Sequence, residues 1–441
     1  YPNIARGFYQ ENIAKTYLEY QKKLAKNHAL DFDDLLFKTY ELFSENKDIL
    51  NKYQEKYQYV LIDEFQDTNR AQYTLAKMIS ERHGNLCVVG DASQSIYSWR
   101  GADLHNLMSL KSDFKNIRIF LLEENYRSSQ KILDTAFGVI SKNTTHPILK
   151  LWTKNDKGEQ VCLFQARNEE EEVKFMVNKI VEGLSGNLSY SDFAVLYRTN
   201  SQSRVVEEVF LRFGIPYLLV GGVRFYDRRE IRDILAMLRL VQNPVESVAR
   251  TRMEKIGKGR LARLLEYRET LAKKETTQEI LDGVVSKTGY LDLYDENNEE
   301  DLVRIENIKE LRSVAEEFPL LTDFLENVTL VEAEQVSDRK SDNPKNAVTL
   351  MTFHAAKGLE FHTVFLIGME EGLFPHTRSL LDRAALEEER RLCYVGITRA
   401  KKKLYLTYTY SRLYFGTRSN NLISRFIFDI PKNLLEESLL P

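Results

Sequence analysis

The sequence predicts an α/β protein with two parallel-sheet cores and helical accessory insertions. Three observations carry that expectation. Short continuous apolar runs at residues 59–62, 86–89, 117–122, 161–164 and 193–197 are mostly separated by helical stretches, the pattern of parallel strands covered on both faces. Strand signals vanish between about 227 and 345 and return at 348–352, 364–367 and 404–408, so a helical segment interrupts the second core. Finally, the run Tyr59-Val60-Leu61-Ile62 stops at two adjacent carboxylates, Asp63-Glu64. A buried parallel strand delivers ligand groups at its carboxyl end, where phosphates and Mg²⁺ sit in such folds.

Taken in order, residues 1–55 read as a helical accessory segment: Ile13, Tyr17, Tyr20 and Leu24 recur at helical spacing, and Leu35, Leu36, Tyr40 and Leu42 do so after Asp33-Asp34. Residues 56–125 form the first core and 126–226 the first part of the second. Residues 227–346 are the helical insertion, ending in a polar tract at 334–346, and 347–441 complete the second core.

Composition sets the class. The 441 residues are 43% hydrophobic and 29% charged, with net charge −3, ordinary globular values that suggest roughly two to four domains. That balance argues against a purely electrostatic nucleic-acid coat, while 23 Tyr and 23 Phe leave rings available for stacking on bases. Cys87, Cys162 and Cys393 lie far apart without C-x-x-C spacing and read as reduced core residues of a cytoplasmic protein. No apolar run approaches the ~18 residues of a membrane helix.

The chemistry concentrates in a few strings. Asp63-Glu64-Phe65-Gln66-Asp67-Thr68-Asn69 offers one carboxylate for Mg²⁺ (Asp63) and one to orient and deprotonate an attacking water (Glu64). After Val88-Val89-Gly90-Asp91 comes Gln94, able to touch a γ-phosphate and a water, then Tyr97, Trp99 and Arg100, an aromatic and cationic cluster suited to stacking on bases. Glu123-Glu124-Asn125-Tyr126-Arg127-Ser128 marks the border between the cores. There Arg127 can reach phosphates and Tyr126 can stack on adenine. The loop G-x-x-x-x-G-K-[ST] that cradles phosphates occurs nowhere in the 441 residues; Lys255-Ile256-Gly257-Lys258-Gly259-Arg260 lacks the following Ser or Thr and a preceding strand. The basic run at 401–403 reads as a solvated helix-to-strand edge.

In order and spacing these strings resemble the superfamily 1 DNA helicases of the UvrD/Rep/PcrA type, over nearly the whole chain. Further strings extend the resemblance: Val195 to Asn200, Gly221 to Tyr226, Thr352 to Phe361, and Glu388 to Ala400. The resemblance implies two RecA-like cores and ATP and Mg²⁺ as cofactors. It implies 3′-to-5′ movement on single-stranded DNA, with separation of duplex at junctions and repair or replication loading proteins as partners. It makes Arg127 and Arg399 arginine fingers, a role worth about 10³–10⁵ in rate. Glu360 would bind the ribose, with Gly358 letting the backbone pass close; a solvated turn acid is the alternative. Trp99 and Tyr97 would stack on bases, and Arg100, Thr199, Asn200, Thr352 and His354 would touch DNA. Phe32 and Phe415 match two further aromatics of the DNA channel, for which a structural role fits equally well. The chain departs from the family in lacking the phosphate loop, expected upstream of Tyr1, and in a shorter insertion. For the 441 residues alone the expectation is negligible ATP hydrolysis. The alternative is a non-catalytic DNA-binding or scaffolding relative that has lost the loop.

Overall fold

The computed structural model describes residues 7–271, 275–296, 298–338 and 346–438, which fall into two compact units divided between Phe120 and Leu121. In the first unit three helices, α1 (Phe8–Lys26), α2 (Phe32–Glu45) and α3 (Lys47–Lys56), precede strand β1 (Val60–Ile62), helix α4 (Arg70–Ser80), strand β2 (Leu86–Val88) and helix α5 (Leu104–Asp113). Capping boxes start α2 (Asp31 with Asp34) and α4 (Asn69 with Gln72), satisfying amides that a helix start otherwise leaves unpaired. The two strands pair in parallel, Leu61 opposite Cys87.

Three expectations fail in this unit and at its border. Period-two alternation turns Ile62, Leu86 and Val88 onto a small core built on Phe65, Tyr73 and Leu110, and sends Leu61 and Cys87 outward. Leu61 is 76% exposed and Cys87 is an exposed free thiol. The sheet is therefore covered on one face, not two. The run at 117–122 forms no strand, and Ile119, Phe120, Leu121 and Leu122 are all exposed. Apolar, β-favouring composition does not make a strand without a neighbouring ladder to pair with.

The second unit opens with helix α6 (Gln130–Ile140), then β3 (Val161–Ala166), α7 (Glu169–Ser185), β4 (Phe193–Tyr197), α8 (Ser203–Arg212) and β5 (Tyr217–Leu219). Six helices follow: α9 (Arg229–Gln242), α10 (Ser247–Ile256), α11 (Lys258–Thr270), α12 (Thr277–Thr288), α13 (Glu299–Glu317) and α14 (Leu321–Asp338). The chain closes with β6 (Val348–Thr352), β7 (Phe361–Leu366), α15 (Arg383–Ile397), β8 (Ala400–Thr409), the hairpin β9 (Arg412–Tyr414) and β10 (Thr417–Ser419), α16 (Arg425–Phe428) and β11 (Leu435–Ser438). Helix α14 runs into the tract read as a polar linker; residues 339–345 of that tract lie outside the described residues.

Seven strands make one parallel sheet in the order β11-β3-β8-β7-β4-β6-β5. Every residue of β4 is buried, as a central strand covered on both faces requires. Strands β5 and β6 pair directly, Tyr217 opposite Val348, although all six insertion helices lie between them in sequence. The insertion leaves at one sheet position and returns beside it, so the sheet stays whole. The helices enclose a core of their own, including Leu235, Met237, Leu264, Val284 and Phe324.

Buried charge ties the second unit together. The Arg412 guanidinium bonds Glu172 and Glu370, all three buried. Fully buried Arg204 on α8 pairs with Glu208 and with Glu310 of α13. Buried ions persist only when paired and hydrogen-bonded.

Candidate nucleotide and nucleic-acid sites

At the end of β1 the chain turns sharply. Glu64 sits at φ 50°, a left-handed conformation uncommon for a non-glycine residue and concentrated at functional turns. Its amide donates to Asp63 Oδ1 at 2.8 Å. Gln66, almost fully buried, then joins the two strand ends. Its amide nitrogen donates to Glu64 Oε2 and its carbonyl accepts from the Asp91 amide at 3.0 Å. Asp91 Oδ2 in turn accepts from Gln94 Nε2 at 2.9 Å. A hydrogen-bonded line therefore runs Glu64–Gln66–Asp91–Gln94, linking the candidate base to the candidate γ-phosphate contact. Gln66 had no assigned role in the sequence reading. Its signal was its place between two acids in an otherwise specific string.

Downstream, Tyr97 and Trp99 meet edge to face with centroids 6.4 Å apart. The Arg100 guanidinium lies 4.5 Å from the Trp99 ring and 5.6 Å from Tyr97. Trp99 is 44% exposed, so this platform keeps a face open. Burial, then the Asp67 charge, pushes the Tyr97 hydroxyl upward. Phe32, the first residue of α2, is 90% exposed and packs into no core of the described residues.

The described residues hold no group of three or more His, Cys, Asp or Glu side chains that could bind a metal. Asp63 supplies one carboxylate beside the Glu64 turn. That donor set fits Mg²⁺, which keeps its waters and takes one or two carboxylates plus substrate phosphates, and does not fit a dedicated protein cage.

In the second unit the candidate residues separate onto opposite ends of the parallel sheet. Glu360 and Arg399 immediately precede β7 and β8, at the amino ends of those strands. Arg127 joins them from the loop before α6: its Nε meets Glu360 Oε2 at 2.6 Å and its Nη1 donates to the Thr398 carbonyl at 3.3 Å. Lys401 Nζ holds the other Glu360 oxygen at 2.8 Å. Hydrogen bonds from Lys401 and then Arg127 bring the Glu360 carboxyl down to about 2. Lys401 corrects the reading of residues 401–403 as a plain solvated edge. Lys402 and Lys403 do pair with exposed surface acids, Asp156 and Glu159.

The two candidate arginines differ. Arg127 is 28% exposed and held by an acid. Arg399 is 2% exposed, and its guanidinium donates to the Val395 and Leu359 carbonyls and to Thr398 Oγ1. One can exchange partners; the other is anchored. Tyr126 is exposed, with its carbonyl accepting from Asn155 Nδ2. Gly358 has φ 84° and open space where a side chain would go, so left-handed backbone, not crowding, demands glycine there.

At the carboxyl ends, Tyr197 of β4 lies opposite Thr352 of β6, so Thr199, Asn200, Thr352 and His354 share one edge of the sheet. Thr199 is buried and its hydroxyl is shared with Ser201 Oγ and Tyr414 Oη. The Asn200 carbonyl accepts from Arg228 and Thr352 Oγ1 accepts from the Ala355 amide. The Phe415 ring stacks on Tyr414 at 3.8 Å, 25° between planes. The Phe415 amide donates toward Glu310 Oε2 of α13. Burial pushes the Glu310 carboxyl up to about 6, against the pull of Arg204. The sequence reading missed Tyr414 and Glu310, whose partners lie 213 to 215 and 105 to 106 residues away.

Both units match described protein families. A model described as UvrD/REP helicase N-terminal domain matches residues 3–115, and one described as UvrD-like helicase C-terminal domain matches 120–273 and 263–411. The chain is 43% identical to the ATP-dependent DNA helicase PcrA of Bacillus subtilis over 492 aligned residues, covering 99% of this chain and 66% of that protein. Proteins of the same name in Staphylococcus aureus (strain Mu50) and Staphylococcus epidermidis are each 40% identical over 481 residues, covering 98% of this chain and 66% of theirs. The chain thus spans just under two thirds of the length of these relatives.

Proposed function

The chain belongs to the UvrD-like helicase family, and from that premise we propose that its units are the motor cores of an ATP-dependent DNA helicase. The motor moves 3′ to 5′ along single-stranded DNA and separates duplex at junctions, in the cytoplasm, with loading proteins of repair or replication. The relatives carry the name ATP-dependent DNA helicase. The observation that carries the reading is the segregation on one parallel sheet: a charge knot at its amino end, and a threonine and aromatic edge at its carboxyl end.

Each end suits a different part of the work. At the amino end Glu360 is kept ionised by Lys401 and Arg127 and can accept hydrogen bonds from ribose hydroxyls. A γ-phosphoryl group competes with Glu360 for the partly exposed Arg127, and Lys401 keeps the acid paired when Arg127 leaves. Arg399 presents fixed positive charge from its carbonyl anchor, and Tyr126 offers a ring to the adenine. Mg²⁺ bound with the nucleotide at Asp63 supplies electrostatic stabilisation of the transferring phosphoryl group. Glu64, oriented by Gln66, takes the proton of the attacking water, and Gln94 reports the γ-phosphate to the Tyr97–Trp99–Arg100 platform. In the first unit bases stack there and on Phe32; in the second, Phe415 offers a ring and Thr199, Asn200, Thr352 and His354 contact single-stranded DNA. Stacking on a π-face tolerates any base, as a translocating motor requires.

The 441 residues contain no phosphate-cradling loop, so negligible ATP turnover is expected from this chain by itself. ATP turnover should be measured on this chain and on the same chain extended through a strand and G-x-x-x-x-G-K-[ST] loop. The expected result is none for the first and DNA-stimulated turnover for the second, abolished by Glu64→Gln. An extended chain that binds DNA yet never turns over ATP would favour a non-catalytic DNA-binding relative.

A further inference from the structure

Helix α13 belongs to the insertion, yet one of its faces is buried and polar. Asn307, Glu310 and Ser313 are almost fully buried and recur at helical spacing. An interior helix face normally carries apolar residues, so these three have something specific to hold. Asn307 meets Arg228 and Glu230. Glu310 and Ser313 face the turn of the β9–β10 hairpin and take its two successive amides: Phe415 N donates to Glu310 Oε2 at 3.4 Å and Gly416 N to Ser313 Oγ at 3.0 Å.

That turn needs holding. Phe415 has φ 56° and Gly416 has φ 75°, two consecutive left-handed residues of which one is aromatic. Such backbone persists only where its surroundings over-determine it. A side chain at Gly416 would lie 2.8 Å from Arg312 Cβ on α13, so the turn is pressed directly against the helix. The left-handed Phe415 folds its ring onto Tyr414, whose hydroxyl is held by Thr199 and Ser201.

We propose that Glu310 and Ser313 are positioning residues for single-strand binding. By fixing the Phe415 and Gly416 amides, the insertion sets the orientation in which Phe415 meets a base. The single-strand site of the second unit is thereby completed by the insertion as well as by the sheet. This rests on the reading of Phe415 as a base-stacking residue.

The test is equilibrium binding of a fluorescein-labelled oligothymidylate to the full 441-residue chain, read by anisotropy. Phe415→Ala should bind about tenfold more weakly, Glu310→Ala about fivefold and Ser313→Ala about threefold. Glu310→Gln keeps an acceptor for the Phe415 amide and should restore affinity to within about twofold of the parent. Combining Glu310→Ala or Ser313→Ala with Phe415→Ala should be no worse than Phe415→Ala alone, because both act through that ring. Should Glu310→Ala fail to fold, Ser313→Ala carries the same comparison with a far smaller change. Hydrogen exchange at the Gly416 amide should quicken in Ser313→Ala. Parent-like binding by Phe415→Ala would overturn the stacking reading and this inference with it. A weak Phe415→Ala beside a parent-like Ser313→Ala, or losses that multiply in the double variants, would overturn the positioning role alone.

Discussion

The two ends of the seven-stranded sheet solve opposite problems. The amino end gathers Arg127, Glu360 and Lys401, all partly exposed, in ion pairs that water screens and a ligand can replace. The carboxyl end gathers Thr199, Ser201, Tyr414 and Glu310 in buried or partly buried hydrogen bonds around the Phe415 ring, the proposed base contact. In the proposed motor, the exchangeable charge site would suit a nucleotide that comes and goes, and the fixed platform a single strand that slides past unchanged. One sheet carries both because its parallel strands present every amino end on one side and every carboxyl end on the other.

The largest expected effect is on what both ends share, the buried scaffold. Arg412→Ala would strand Glu172 and Glu370 in the interior, and removing one partner of a buried ion pair costs about 3–5 kcal/mol. Urea denaturation should show that loss. Recovery of parent stability would mean that these charges are hydrated and the sheet is less tightly closed than described.

Next comes a contrast in acid titration. The folded value of Glu310 is raised, so its contribution to stability is complete below its ordinary range near 4.5 and is lost as pH rises through about 6. Glu360 is depressed, so its contribution is complete above about 4.5 and is lost as pH falls through about 2. Denaturation midpoints across pH should therefore flatten between 4.5 and 6 in Glu310→Gln and only below 4.5 in Glu360→Gln. The same window for both variants would erase the distinction between the ends.

Lys401→Ala should raise the Glu360 titration midpoint, followed by carboxylate NMR, since Lys401 is the larger cause of its depression. Lys402→Ala, which frees only exposed Asp156, should leave both the melting temperature and that midpoint unchanged. It is the smallest expected effect and the control for the other.

The central architecture was legible in the sequence because burial on both faces writes continuous apolar runs. β4 and β6 occupy the residues expected, 193–197 and 348–352. Periodicity reports burial and not pairing, which is why residues 117–122 misled and why β11, Leu-Glu-Glu-Ser at the sheet edge, left no apolar signature. The hairpin β9–β10 was equally silent, three residues to a strand. Candidate site residues were found where one short string held several of them, as at Asp63-Glu64. They were missed where the partner came from far along the chain. Lys401 gains meaning only from Glu360, and Glu310 only from Phe415 and Arg204. Charge in a sequence cannot announce which distant acid it will meet.

The most direct test of the division between the two ends is single-stranded DNA affinity of this chain at equilibrium, comparing Phe415→Ala and His354→Ala with Arg127→Ala and Glu360→Ala. The expectation is weakening of about tenfold for Phe415→Ala, a smaller loss for His354→Ala, and parent-like binding for both amino-end variants. Equal loss from the amino-end pair, or none from the carboxyl-end pair, would contradict it.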